Sequence, residues 1–169
     1  MTSDQLPFRS GIGYDIHRLV AGRPLIIGGV QFMSDVGLEG HSDADVLLHA
    51  IADAILGAAA LGDIGQHFPP GDPRWAGADS VALLKACVTK LNDAGWDVGN
   101  VDATVIAELP KINPRAAEMR TIIAGALDVE IDAVSLKATT NELLGSIGRG
   151  EGIAALATAT VLRRTGDAG

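Results

Sequence analysis

The run from Gly40 to Gly65 constrains this chain more than any other stretch. Val46, Leu47, Ala50, Ile51, Ala54, Ile55 and Ala58 recur at helical spacing, which predicts a buried helix. Ser42 stands where an N-cap would, with Asp45 three residues later in the manner of a capping box. His41, Asp43 and Asp45 occupy the expected first turn, and His49 and Asp53 follow at one-turn intervals, so His41, Asp45 and His49 drift along one side. A helix that only packs has no use for two histidines and several carboxylates among so many alanines. The segment reads as built around a site.

The remainder of the chain must supply what surrounds that helix. With 169 residues, 47% hydrophobic but only 4% aromatic, it can bury an aliphatic core and is expected to form one domain over residues 1–169, with flexible tails at 1–7 and 165–169. Glycine is abundant, 21 residues, and clusters beside polar residues, which suggests backbone approaching ligands closely. A net charge of −8 argues against nonspecific nucleic-acid binding and against an anionic membrane surface. It leaves room for one small anionic ligand, provided metals, backbone N–H groups or a few placed cations supply positive charge. The single Cys87 excludes an intrachain disulfide; it shares helical spacing with Val81, Leu84, Val88 and Leu91 and reads as a buried thiol. The N-terminus has no signal-peptide pattern, and the longest uncharged apolar stretch is far shorter than the ~20 residues of a membrane span. A soluble, cytoplasmic protein is expected.

Periodicity places the elements. Phe8 to His17 alternates as a strand, with Ile12, Tyr14 and Ile16 on one face and Asp15 and His17 on the other. Leu25 to Val30 is a second apolar run with a bend or bulge at Gly28-Gly29, and Ser34 to Gly40 a loop. The prolines and glycines of Gly65 to Ala78 predict a surface loop, followed by a helix from Asp79 to Ala94 ended by Gly95. A strand over Val98–Ile106, a helix from Pro114 to Leu127, and strands over Val134–Ala138 and Ile153–Leu162 complete the chain, with a glycine-rich turn at 145–152. The order β-β-α-α-β-α-β-β predicts an α+β fold, a mixed sheet with helices on one face.

Five sites could carry chemistry. Asp15 and His17, two apart on a strand, share a face, and one helix histidine, His49 foremost, would complete a His₂Asp ligand set. That set suits a catalytic zinc site or a non-haem Fe(II) centre equally. Gly40 to Asp43, at the expected helix N-terminus, offers His41 and Ser42 to a phosphate, or else Ser42 merely caps. Thr139, Thr140 and Asn141 follow a strand end with Glu142, a carboxylate able to hold Mg²⁺ against phosphate oxygens or an ordinary turn residue. Asp63, read as lying at the end of the organising helix, is unfavourable to the dipole there and calls for an N–H or a ligand hydroxyl. Arg149 stands among glycines that let a ligand or neighbouring chain come near.

Taken in order, Gly13-Tyr-Asp-Ile-His17, Gly40-His-Ser-Asp-Ala-Asp45, Val46-Leu-Leu-His-Ala50, Leu61-Gly-Asp-Ile-Gly65, Lys137-Ala-Thr-Thr-Asn-Glu142 and Gly148-Arg-Gly-Glu-Gly152 resemble the 2-C-methyl-D-erythritol 2,4-cyclodiphosphate synthase family from Arg9 to Arg163. The resemblance implies a CMP-releasing lyase of the non-mevalonate isoprenoid pathway. It would act as a homotrimer with interfacial sites and with an axial cavity for an isoprenoid diphosphate. It implies Zn²⁺ on Asp15, His17 and His49, and a second ion, Mg²⁺ or Mn²⁺, at Glu142. His41 and Thr140 would be the catalytic donors, with Ser42 assisting. Substrate contacts would come from Ile16, Asp63, Ile64 and Gly65, and from the loop Phe68, Pro69, Pro70, Gly71 and Asp72. The cytidine would rest on the loop from Ala107 through Pro110, Lys111 and Ile112 to Asn113 and on Thr139, with Asn141 a further substrate contact and the axial ligand near Ser146 and Arg149. Pro70-Gly71, Glu108-Leu109, Asn113 and Ser146 depart from the family's usual residues. The same residues admit two rivals: a non-haem Fe(II) enzyme using the triad, and a non-catalytic trimer that binds isoprenoid diphosphates.

Overall fold

The computed structural model describes residues 6–164. Most of the expected tails, residues 1–5 and 165–169, lie outside the described residues; Pro7 is inside them, its carbonyl accepting from the Arg163 amide at 2.8 Å. The chain runs β1 (Phe8–Ala21), β2 (Leu25–Ile27), β3 (Val30–Phe32), β4 (Val36–Leu38), α1 (Val46–Ala58), α2 (Ile64–His67), α3 (Ser80–Asp93), β5 (Trp96–Ile106), α4 (Ala116–Leu127), β6 (Val134–Thr139), α5 (Gly145–Gly148) and β7 (Gly152–Arg163). Five strands form a mixed sheet in the order β4-β1-β7-β5-β6, and β2 and β3 form a separate hairpin. Only β5 and β6 pair in parallel, with α4 in the crossover between them. The result is the expected α+β architecture.

Helix α1 is apolar and buried on all sides but the stripe of His49, Asp53 and Gly57, which makes it the core and not a cover for one. It lies so close to β1 that no side chain fits between them. A Cβ at Gly13 would stand 1.9 Å from the Ala50 carbonyl oxygen, and one at Gly11 would stand 2.1 Å from that of Ala54. Next to β1, β7 presents Ala155, Ala157 and Ala159 to the same face, all buried. Small residues on two adjacent strands therefore form a shallow bed for the helix. The opposite face of β1 is exposed and apolar: Ile12, Tyr14 and Ile16 are 66%, 55% and 44% accessible.

Several expectations need correction. The organising helix spans only 46–58, and its N-cap is Asp45, whose Oδ1 accepts from the Leu48 amide at 3.1 Å. Ser42 instead closes a local turn by accepting from the Ala44 amide at 3.1 Å, so there is no capping box, and His41 precedes the helix. Asp45 is fully buried because its two oxygens also accept from the amides of Gly28 (2.9 Å) and Gly29 (2.7 Å). Those glycines, both with positive φ, are the turn of the β2–β3 hairpin, not a bulge within one strand. Burial pushes the Asp45 carboxyl up to about 6 even though the amides of Gly29, Gly28 and Leu48 oppose the shift. The expected loop 34–40 contains β4, paired with the extended end of β1. The expected loop 65–78 contains part of α2 and a 3₁₀ turn at Pro73–Trp75, and the glycine-rich turn holds α5. Asp63 does not terminate α1 but caps α2, accepting from the Gln66 amide at 2.9 Å, which satisfies the carboxylate through backbone.

Replacing Gly13 with alanine would force the helix off its bed. Overpacking of this kind costs about 1–3 kcal/mol. Gly13→Ala should lower the urea midpoint accordingly, and an unchanged midpoint would contradict the seating of α1 on β1.

Candidate metal centre and adjoining cavities

Strand alternation turns Asp15 and His17 toward α1, and the close seating of the helix brings His49 onto them. Asp15 Oδ2 lies 2.8 Å from His17 Nε2 and 3.1 Å from His49 Nδ1, and the three donor atoms fall within 4.8 Å of one another. Ligands about 2 Å from a tetrahedral ion stand roughly 3.3 Å apart, so the cluster is close to a coordination edge already.

The polar groups around the cluster also fit a cation. The Nδ1–H of His17 donates to the Glu39 carbonyl at 2.7 Å, leaving Nε2 without a proton in the neutral ring. That Nε2 is buried and makes no hydrogen bond, although a carboxylate oxygen is near it. Two facing acceptors are stable only with a proton or cation between them, and the donor set suits a divalent metal. Without metal, protons take that part. Burial opposes charge on Asp15, but the adjoining His17 and His49 imidazoles win and hold its carboxyl far below the usual range. Burial likewise opposes charge on His17, and the Asp15 carboxylate raises it above 6.5.

The triad opens into a cavity of about 220 Å³ lined by His41, Ser42, Ile64, Gly65, Phe68, Pro70, Trp75 and Leu83 besides the three ligands. His41 is held by its Nε2–H donating to the Asp72 carbonyl at 3.0 Å, and Phe68 stacks edge-on against Trp75 at 4.9 Å. Asp53, half-buried on α1, accepts from the Ile64 amide at 2.7 Å and so fixes the start of α2 at the cavity rim. Among the residues expected here, Ile16, Asp63, Pro69, Gly71 and Asp72 do not line the cavity. Asp63 is turned to Gln66, and Asp72 is paired with Arg74 at 2.6 Å. Trp75 and Leu83 were not foreseen, and no local signal marks them, because they reach the site only through the fold.

The residues expected around a cytidine line a different cavity, of about 280 Å³: Ala107, Glu108, Pro110, Lys111, Ile112, Asn113 and Thr139, joined by the expected catalytic donor Thr140 and by Pro114 and Ala138. Asn141 and Glu142 stand beside it on a loop braced by Glu108, whose Oε1 accepts from the amides of Asn141 (2.9 Å) and Leu143 (3.3 Å). Glu142 and Leu143 both have positive φ, and Thr140 Oγ1 donates to Glu142 Oε1 at 3.2 Å. Glu108, noted only as a departure in sequence, thus holds the acidic loop in place. Ser146 lies in neither group but in a third cavity with Ile16, Arg18 and Glu151, and Arg149 is paired with Glu151 at 2.6 Å.

One chain does not bring the first two groups together. The sheet registers Asp15 with Ala155, Ala155 with Val105, and Val105 with Ala138. Three strand spacings of ~4.8 Å therefore put about 14 Å between Asp15 and Ala138, with α1 filling the space on that face.

Comparison with known proteins gives a consistent result. The YgbB family matches residues 8–162. A 2-C-methyl-D-erythritol 2,4-cyclodiphosphate synthase of Synechococcus elongatus is 58% identical over 156 residues, 92% of this chain and 98% of that protein. One of Salinibacter ruber is 61% identical over 153 residues, 90% of this chain and 98% of that protein. Among solved structures, IspF of Plasmodium falciparum in complex with CDP superposes with a TM-score of 0.84 at 32% identity, covering 96% of this chain and 100% of that one. The bifunctional IspDF of Campylobacter jejuni superposes with a TM-score of 0.89 at 42% identity, and this chain covers 42% of its length.

The charges of the metal-free cluster set a pH dependence. A depressed Asp15 adds stability above the unfolded value of 3.8, and a raised His17 adds stability that is complete below 6.5 and lost as pH climbs through its folded value. In chelator, the stability gap between wild type and Asp15→Asn should be widest between pH 3.8 and 6.5 and narrow as pH climbs beyond 6.5 through the folded value of His17. Urea titrations across that range test it, and a gap that widens toward alkaline pH would contradict the pairing.

Proposed function

The chain belongs to the YgbB family and is a 2-C-methyl-D-erythritol 2,4-cyclodiphosphate synthase, and we propose that it acts through a site completed by a second copy of itself. The substrate is 4-diphosphocytidyl-2-C-methyl-D-erythritol 2-phosphate. A 2-phosphate oxygen forms a bond to the β-phosphorus, the bond from that phosphorus to the bridging oxygen of the α-phosphate breaks, and CMP leaves with the electron pair. The observation that carries this reading is the Asp15–His17–His49 cluster at the mouth of a cavity.

In this reading Asp15, His17 and His49 hold Zn²⁺, and Glu142 holds a second divalent ion, Mg²⁺ or Mn²⁺. When bound, the ions supply Lewis-acid polarisation of the diphosphate and relieve repulsion between anions. The nucleophile is a phosphate already ionised at neutral pH, so the chain need not provide a strong general base. Its residues bind and align. His41 and Thr140 donate to phosphate oxygens with help from Ser42, and the methylerythritol lies against Ile64, Gly65 and Phe68. The cytidine sits in the cavity of Pro110 to Asn113 and Thr139.

The division of these residues between two cavities, on strands about 14 Å apart at Asp15 and Ala138, favours a homotrimer in which one copy's triad faces its neighbour's nucleotide loop. The exposed apolar face of β1 supports such an assembly. An isoprenoid diphosphate in an axial cavity near Ser146 and Arg149 belongs to the same reading, as do a single synthase unit over residues 1–169 and a cytoplasmic location. Among the described residues, no helix is long and apolar enough to cross a membrane.

Incubation with substrate and Mg²⁺ should release CMP and the cyclic product. Asp15→Ala and Thr140→Ala should each reduce turnover by at least about 10²-fold, as loss of one aimed donor does. Mixing the two inactive variants under conditions that exchange subunits should then restore about a quarter of wild-type activity, because a random site draws its two halves from different copies. Failure to complement would show that each site is contained in one chain.

A further inference from the structure

We propose that Asp43 and Ser80 form a positioning relay that sets the tautomer of His49, so that its Nδ1 faces Asp15 as a bare lone pair. The proposal rests on the reading of Asp15, His17 and His49 as a metal site and concerns how that site is prepared before metal arrives.

Ser80 is the first residue of α3, and its hydroxyl has no part in capping. The cap is Asp79, whose carboxylate accepts from the Val81 amide at 2.8 Å. Ser80 is nevertheless 1% exposed, one of two fully buried polar residues among those described. Its backbone N–H donates to Asp43 Oδ2 at 3.0 Å, and its hydroxyl lies in close contact with Asp43 Oδ1. Asp43 Oδ1 also accepts from the Asp45 amide at 3.1 Å. Backbone donors thus occupy both carboxylate oxygens, and Asp43 acts as an acceptor on each side.

The direction of the remaining bonds follows from counting protons. A serine hydroxyl has one proton, and here it is committed to Asp43. Only lone pairs of Ser80 Oγ are left for His49 Nε2, 3.0 Å away, so that nitrogen carries the imidazole proton and donates. Ser42 Oγ, which already accepts from the Ala44 amide, is a second and longer acceptor at 3.3 Å. In the neutral ring the Nε2 proton is the only one, so His49 Nδ1 is then bare, 3.1 Å from Asp15 Oδ2.

His17 is fixed by the same logic with its nitrogens exchanged, since the Glu39 carbonyl takes the proton of Nδ1 and leaves Nε2 bare. The two imidazoles are therefore locked in opposite tautomers and turn their lone pairs on a single carboxylate oxygen. Such partners typically raise ligand basicity and hold the ring for the ion. The loop before α1 and the start of α3 serve the centre without touching it.

The test uses full-length protein, Zn²⁺ with a competing chromophoric chelator, and long-range ¹H–¹⁵N spectra of the metal-free histidines. Ser80→Ala keeps the backbone N–H that ties α3 to Asp43 and so removes the relay with little change to the fold, whereas Asp43→Asn turns an amide N–H onto one of the two backbone donors and strains the loop as well. Both should weaken Zn²⁺ binding, by about 10–100-fold for Ser80→Ala. In metal-free wild type at alkaline pH, where the ring is neutral, the His49 proton should be on Nε2, and in Ser80→Ala it should divide between the two nitrogens. Should Ser80→Ala not fold, the wild-type tautomer decides the matter. Wild-type affinity in Ser80→Ala, or a neutral His49 whose one proton is on Nδ1 in metal-free wild type, would overturn the relay while leaving the metal site standing. A wild-type protein that binds no Zn²⁺ would overturn both.

Discussion

The close contact between α1 and β1 is the constraint on which the rest of the molecule depends. Helix and strand approach until backbone meets backbone at Gly11 and Gly13, and the alanines of β7 widen the bed. This does more than bury apolar area. His49 projects from the helix, and Asp15 from the strand just beyond the glycines, so the spacing that seats the helix is the spacing that closes the donor cluster. A side chain on either glycine would separate the ligands by lifting the element that carries one of them. Packing and site geometry are one property here, since a close-packed interior transmits displacement with little loss.

The second principle is how an acidic chain prepares to hold anions. Few cations line the cavities, and the carboxylates are managed locally. Asp45 is spent on the hairpin turn and the N-cap, Asp53 on α2, Asp63 on Gln66 and Asp43 on Ser80. Asp15 is different, because it faces two imidazoles with their other nitrogens occupied. The negative potential is thereby gathered at one point suited to a divalent ion, and the positive charge that the ligand needs can be supplied there. The braced loop of Glu108, with Glu142 in a left-handed conformation, offers a second carboxylate at the far end of the same row of strands.

Legibility in the sequence followed the range of the interactions involved. Asp15 and His17 were readable because strand geometry alone puts alternate residues on one face, and His49 because helical periodicity marks it within the core. The glycine that stops α3 and the proline before α4 were equally local. The cap of α1 was misread, because Ser42 and Asp45 are both competent N-caps by composition. Asp45 prevails because its two oxygens also accept from Gly28 (Oδ1) and Gly29 (Oδ2), which stand 16 or more positions away in sequence. The same holds for β4, whose pairing with the end of β1 no alternation in three residues could announce. Trp75, Leu83 and Ser80 escaped notice for this reason also.

What the sequence by itself determined is the identity of the chemical groups and the face each occupies on its own element: two ligands on one strand, one on a buried helix, hydroxyls and a carboxylate after another strand. These depend on backbone geometry over a few residues, which side-chain spacing dictates. Only the tertiary structure decided which of those groups meet. It joined Asp15, His17 and His49 through a glycine-lined contact, bound Asp43 and Ser80 across 37 positions, and held the Thr139–Glu142 loop about 14 Å away. Such meetings depend on how closely separate elements can approach, and that is set by the volume of every side chain between them.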